Sequence, residues 1–118
     1  MSAAQTKELI VRAIERLQSE VPSLRQIKLV VKLELRTHGD APIWRVEVPG
    51  PKITKEAPSD ARLDISVSRS HFNELAADGR LSHWVDAFEH GHVKVSGDGA
   101  VVKLLGSVIE RQMSRARA

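Results

Sequence analysis

The stretch His92–Ile109 reads H-V-K-V-S-G-D-G-A-V-V-K-L-L-G-S-V-I, and its pattern predicts a short strand, a tight turn and an apolar helix. Val93 and Val95 alternate with His92, Lys94 and Ser96, the period of two that gives a strand one apolar and one wet face. Gly97-Asp98-Gly99 breaks the alternation, and the Asp98 carboxylate can accept hydrogen bonds from the first free amides of the helix that follows. The chain therefore reverses here. In the helix, Val101, Val102, Leu104, Leu105, Val108 and Ile109 present more apolar surface than one stripe needs, with Lys103 the only charge before Glu110. Such a helix is expected to face apolar neighbours on more than one side.

Upstream, Leu63, Ile65 and Val67 alternate with Arg62, Asp64, Ser66 and Ser68 in a second strand. Ser68 or Ser70 can cap a short helix carrying Phe72, Leu75 and Ala76, which Asp78-Gly79 ends. Ser82 is expected to cap the next helix, whose apolar positions are Trp84, Val85, Ala87 and Phe88, with Gly91 at its end. Ile27–Thr37 is the clearest strand, since Ile27, Leu29, Val31, Leu33 and Leu35 point one way and Lys28, Val30, Lys32, Glu34 and Arg36 the other. His38-Gly39-Asp40-Ala41-Pro42 reads as a hairpin connection to a strand built on Trp44, Val46 and Val48, which Pro49-Gly50-Pro51 stops. Residues 52–59 read either as an edge strand around Ile53 or as a loop.

At the start of the chain, Ser2 and Gln5 suggest a capping box for a helix whose Leu9, Ile10, Ala13, Ile14 and Leu17 form one apolar face. Glu8 with Arg12 and Arg16 with Glu20 stand four apart, and Val21-Pro22 ends the helix. Arg111–Ala118 reads as a basic tail. Each strand has one apolar and one polar face, which predicts a sheet covered on one side only. The expectation is a single domain, residues 1–118, of α/β (α+β two-layer) class, with a largely antiparallel five-stranded sheet and helices on one face.

The net charge is +3, but 15 acidic residues are interspersed with 18 basic ones. The four aromatics, Trp44, Phe72, Trp84 and Phe88, all sit in apolar patterns, so no platform of exposed rings and cations is available for stacking bases, and no nucleic-acid partner is expected. With no cysteine in 118 residues, disulfides and cysteine-ligated metals are excluded. The start of the chain is amphipathic and carries no signal-peptide pattern, so a cytoplasmic location is expected.

Asp60–Arg111 resembles the sterol carrier protein type-2 (sterol-transfer) domain family. The likeness runs in order through A-R-L-D-I-S-V-S, a helix ending A-D-G-R-L, the helix W-V-D-A-F-E-H-G, the strand H-V-K-V-S-G-D and the helix V-V-K-L-L-G. Gly79 and Leu81, Phe88 and Gly91, then Val93, Lys94, Val95, Gly97 and Asp98, and finally Lys103 and Leu104 hold the family's pattern positions. The first half agrees only in type, as an amphipathic helix followed by meandering strands. The chain also ends Ala116-Arg117-Ala118, without the peroxisomal tripeptide of eukaryotic relatives.

The resemblance implies an internal tunnel that takes a sterol, fatty acid, fatty acyl-CoA or phospholipid without chemistry. Its expected lining is Leu63, Ile65, Val67, Phe72, Leu75, Trp84, Phe88, Val101, Leu104, Leu105 and Val108. Lys103, Arg111 and Arg115 are candidate contacts for an anionic head group or a membrane surface, against the plain reading of cations at a helix end. The residues alone leave a filled core open as the alternative to a tunnel. They also leave open a protein-interaction module, acting as a homo-oligomer or as an accessory subunit of a lipid-metabolising enzyme.

No cofactor, metal or catalytic group is expected. His90 and His92 lack a third ligand at matching spacing, and Ser82, His83 and Asp86 on one helical turn cannot form a hydrolase triad.

Overall fold

The computed structural model describes residues 2–117, with side chains described through Arg115. The elements in order are α1 (Ala3–Glu20), a 3-10 turn (Pro22–Gln26), β1 (Leu29–Arg36), β2 (Ile43–Val48), β3 (Lys52–Thr54), β4 (Leu63–Ser68), α2 (Arg69–Asp78), α3 (Leu81–Glu89), β5 (Val93–Gly97) and α4 (Gly99–Arg117). Residues 52–59 thus hold a three-residue edge strand, β3, followed by a loop.

The strands form one sheet in the order β3-β2-β1-β4-β5. Its pairs are antiparallel except β1 with β4, so the five-stranded sheet is largely antiparallel, as expected, and mixed through that one parallel pair. Register fixes the faces. Leu33 lies opposite Trp44 and Ile65, and Ile65 opposite Val95, giving an apolar row across four strands. One residue along, Lys32 lies opposite Arg45 and Asp64, and Glu34 is followed by Ser66 and Lys94, giving polar rows on the reverse face. The helices pack on the apolar face, over a core in which Ile10, Leu35, Val67 and Ala76 are almost wholly buried.

The capping box at α1 forms as expected: the Ser2 amide donates to Gln5 Oε1 at 2.9 Å and the Gln5 amide to Ser2 Oγ at 3.2 Å. The pairing of Arg16 with Glu20 does not form. Arg16 instead donates to the carbonyls of Ala77 and Gly79 where α2 ends, and the Glu20 carboxylate accepts the Leu81 amide where α3 starts. Each charge serves the helix end whose free backbone groups it complements, which is worth more than a solvent-exposed pair along one helix. Ser82 is not the α3 cap. Helix α3 begins at Leu81 with Arg80 at the cap position, two residues earlier, and the Arg80 amide donates to His83 Nδ1 at 2.9 Å.

Ser68 caps α2, and Gly79 ends it with φ −69°, not in the left-handed conformation. Glycine is needed there for space, since a Cβ would stand 2.4 Å from the Leu75 carbonyl oxygen. The basic tail is a correction too. Arg111 onward continues α4 to Arg117, in keeping with a run of arginine, glutamine, methionine and alanine that favours helix. Ala118 lies outside the described residues.

The joint between β5 and α4 is built as its sequence predicts. Asp98 Oδ1 accepts the Ala100 amide at 2.9 Å, Asp98 Oδ2 pairs with Arg62 at 3.0 Å, and the Asp98 amide donates to the Arg62 carbonyl at 2.9 Å. The Arg62 guanidinium first, and the helix amides next, hold the Asp98 carboxyl below its ordinary value. A carboxyl depressed on folding contributes stability that is in place above the unfolded pKa of about 3.9 and is lost as the pH falls through the folded value. Asp98→Asn should therefore flatten the acid limb: its urea midpoint should fall less between pH 5 and pH 3 than that of the wild type. Parallel curves for the two proteins would remove this pair from the account.

Candidate functional site

Where the sheet meets α1, the 3-10 turn and α4, the packing leaves a half-open cavity of about 130 Å³. Its walls are Ile14, Leu17 and Gln18 of α1, Leu24 of the turn, Ile27, and Leu29, Val31, Val48 and Leu63 of the sheet, with Leu105 of α4 as roof. Gln18 is the one polar residue among them, and its Nε2 already donates to the Pro49 carbonyl at 2.7 Å. A donor engaged in this way draws less water than a free one, and the other nine wall residues offer only hydrocarbon. The volume is close to the roughly 150 Å³ that admits benzene in an engineered apolar cavity, and below the ~300 Å³ at which ligand pockets begin. An acyl chain would need the roof to move.

Roof and floor differ in how firmly they are held. Strands β1 and β4 are paired on both sides. Helix α4 is tied at its start by Asp98 and by buried Val101, and Val102 and Leu105 pack against the core. Beyond Leu105, no apolar residue of α4 belongs to the core among the described residues.

Of the expected lining residues, Leu63 and Leu105 reach this cavity. Val67, Phe72, Leu75 and Val101 are buried in the surrounding core, and Ile65 and Trp84 pack against it half-buried, Trp84 meeting Phe72 edge-on at 6.2 Å. Val108 is half-buried away from the core, while Phe88 and Leu104 stand 52% and 49% exposed. Lys103, Arg111 and Arg115 are exposed on α4, outside the cavity. Eight of the ten wall residues come from the first half of the chain. Their signal was the apolar stripe of α1 and the alternation of β1 and β2, read there as core.

The histidines group elsewhere. His71 and His92 stack at 4.2 Å between centroids, and His90 lies 6.4 Å from His92 in a near-parallel plane. His71 Nδ1 shares a hydrogen bond with Ser68 Oγ at 2.8 Å. The Asp86 carbonyl, then its carboxylate, raises the His90 imidazole above its ordinary value. Parallel rings present faces rather than converging nitrogens, and no group of three metal-ligating side chains suited to an ion occurs among the described residues.

No protein-family model matches the chain, and no curated protein matches it. Solved structures do. Sterol carrier protein-2 from Aedes aegypti in complex with the C16 fatty acid palmitate superposes with a TM-score of 0.59 at 19% identity, covering 92% of this chain and 96% of that one. The fold is that of sterol carrier protein 2. Domain 2 of the sterol carrier protein of Helicoverpa armigera matches with a TM-score of 0.60 at 14% identity, over 90% of this chain and 85% of that one. The UbiJ-SCP2 ubiquinone synthesis protein matches with a TM-score of 0.52 at 18% identity, over 91% and 98%. The sterol carrier protein 2 architecture therefore spans both halves, including the first, whose sequence agrees only in type. Among the described residues no helix is long and apolar enough to cross a membrane.

Proposed function

We propose that this chain binds a long apolar ligand, a fatty acid or related acyl lipid, between its helices and its sheet, and carries it without chemistry. The observation that carries the reading is the pocket beneath Leu105, with nine apolar wall residues and one polar one, Gln18, whose Nε2 is engaged by the Pro49 carbonyl. Each methylene buried there contributes about 0.8 kcal/mol, while a carboxylate would find no partner inside and must stay at the opening. Growth of the cavity from its present 130 Å³ falls to α4, the wall with the thinnest attachment. The palmitate complex of the Aedes aegypti protein supports the same ligand class on the same fold.

Thermal unfolding with increasing palmitate tests the proposal. At a hundredfold excess over Kd, ligand adds about 2.7 kcal/mol, which for a domain of this size raises Tm by about 10 °C. Palmitoyl-CoA, a phospholipid and a sterol in the same assay rank the finer ligand classes, and a Tm unmoved by all of them would defeat the carrier reading.

A second reading, an accessory subunit without an exchangeable ligand, draws on Phe88, half-exposed on α3, and on the fold shared with a ubiquinone synthesis protein. Native mass spectrometry separates the two readings: a co-purified lipid favours the carrier, a bare chain or oligomer the subunit.

A further inference from the structure

Helix α4 carries a second surface beside the one that roofs the cavity. Seven residues fall within about 20° of two full turns, so Arg111 lies nearly in line with Leu104, with Val108 and Arg115 flanking that line. Leu104, Arg111 and Arg115 are exposed and Val108 is half-buried outside the core. Lys103 and Glu110 also stand seven apart and share a different flank, so the one acid of this stretch is turned away from the two arginines. The result is a strip about 17 Å long, by the rise of eleven helical residues, that begins apolar and ends cationic.

We infer that this strip of α4 docks on an anionic lipid bilayer, Leu104 entering the interface while Arg111 and Arg115 meet lipid phosphates and carboxylates. The charge pattern selects the occupant. Two guanidinium groups that pair with no acid among the described residues repel a second copy of the same strip, whereas an anionic leaflet attracts them, and a small apolar anchor beside cations is what an interfacial helix requires. Leu105, the next residue along, points about 100° around the helix and lines the cavity, so docking brings the helix that walls the cavity to the bilayer surface. This last step rests on the carrier reading, while the docking itself does not.

Co-sedimentation with phosphatidylcholine vesicles, with and without phosphatidylserine, tests the inference. The wild type should bind the phosphatidylserine vesicles and release them in high salt. Each arginine is worth about fivefold in affinity, so the double variant Arg111→Gln/Arg115→Gln should bind about 25-fold more weakly, and Leu104→Ser should also weaken binding. Equal binding to both kinds of vesicle, or an unchanged double variant, overturns the inference. So does a dimer in sedimentation velocity that Leu104→Ser dissolves, because the strip would then be a protein interface. The positions are exposed, and circular dichroism confirms that the variants fold. Palmitate stabilisation of the wild type without vesicles reports separately: its absence alongside intact vesicle binding discards the carrier reading and leaves the docking surface.

Discussion

Gly97→Ala should destabilise the protein by about 2–6 kcal/mol, enough to consume much of the ~5–15 kcal/mol that holds a domain of this size together. Two effects add. Gly97 has φ +127°, a region that side chains avoid at about 1–3 kcal/mol, and a Cβ there would stand 2.6 Å from the Arg62 carbonyl oxygen and 3.0 Å from Leu63 Cα. Both obstacles are backbone, at the first residue of the paired strand β4 and the residue just before it, so nothing flexible can give way. Gly91→Ala is the control, because Gly91 also has positive φ, +79°, but open space where its Cβ would go. It should cost only about 1–2 kcal/mol. Urea unfolding of the two variants checks this, and equal losses would show that close approach of β5 to β4 plays no part.

Val31→Phe should abolish ligand binding while leaving the empty protein as stable or more so. Val31 lies on the cavity floor, at the centre of the sheet, where its larger replacement fills space that is now vacant. Cavity filling commonly gains about 0.5–2 kcal/mol, whereas loss of the volume that an acyl chain occupies should weaken palmitate by more than about 100-fold. Stability and affinity thus move in opposite directions, which a simple folding defect cannot mimic. Isothermal titration with palmitate beside urea unfolding gives both numbers. Wild-type affinity in this variant would move the ligand to another part of the helix–sheet interface.

Much of this architecture is written locally in the chain. The alternation of Leu29, Val31, Leu33 and Leu35 fixes which face of β1 is buried, and Asp98 caps the helix that its position predicts. What alternation cannot specify is the neighbour. A strand with one apolar face reads the same beside a parallel or an antiparallel partner, so the pairing of β1 with β4 is a property of the assembled chain. The same holds for the cavity. Ile14 and Leu17 have the spacing of packed residues whether the facing side chain reaches them or stops short. Phe88 and Leu104 show the converse, since an apolar residue in an apolar pattern need not end up covered.

The single parallel ladder divides the sheet into two runs of chain. Strands β1, β2 and β3 are one meander, β4 and β5 bracket the α2–α3 pair, and only the β1–β4 ladder joins the two runs across the sheet. The covalent link between them is the surface segment from Lys55 to Arg62, fastened to β2 by Arg45, which pairs with Asp60 at 2.8 Å. This seam makes the molecule a two-piece object: a nick in that segment would leave fragments holding complementary edges, each the template on which the other reassembles.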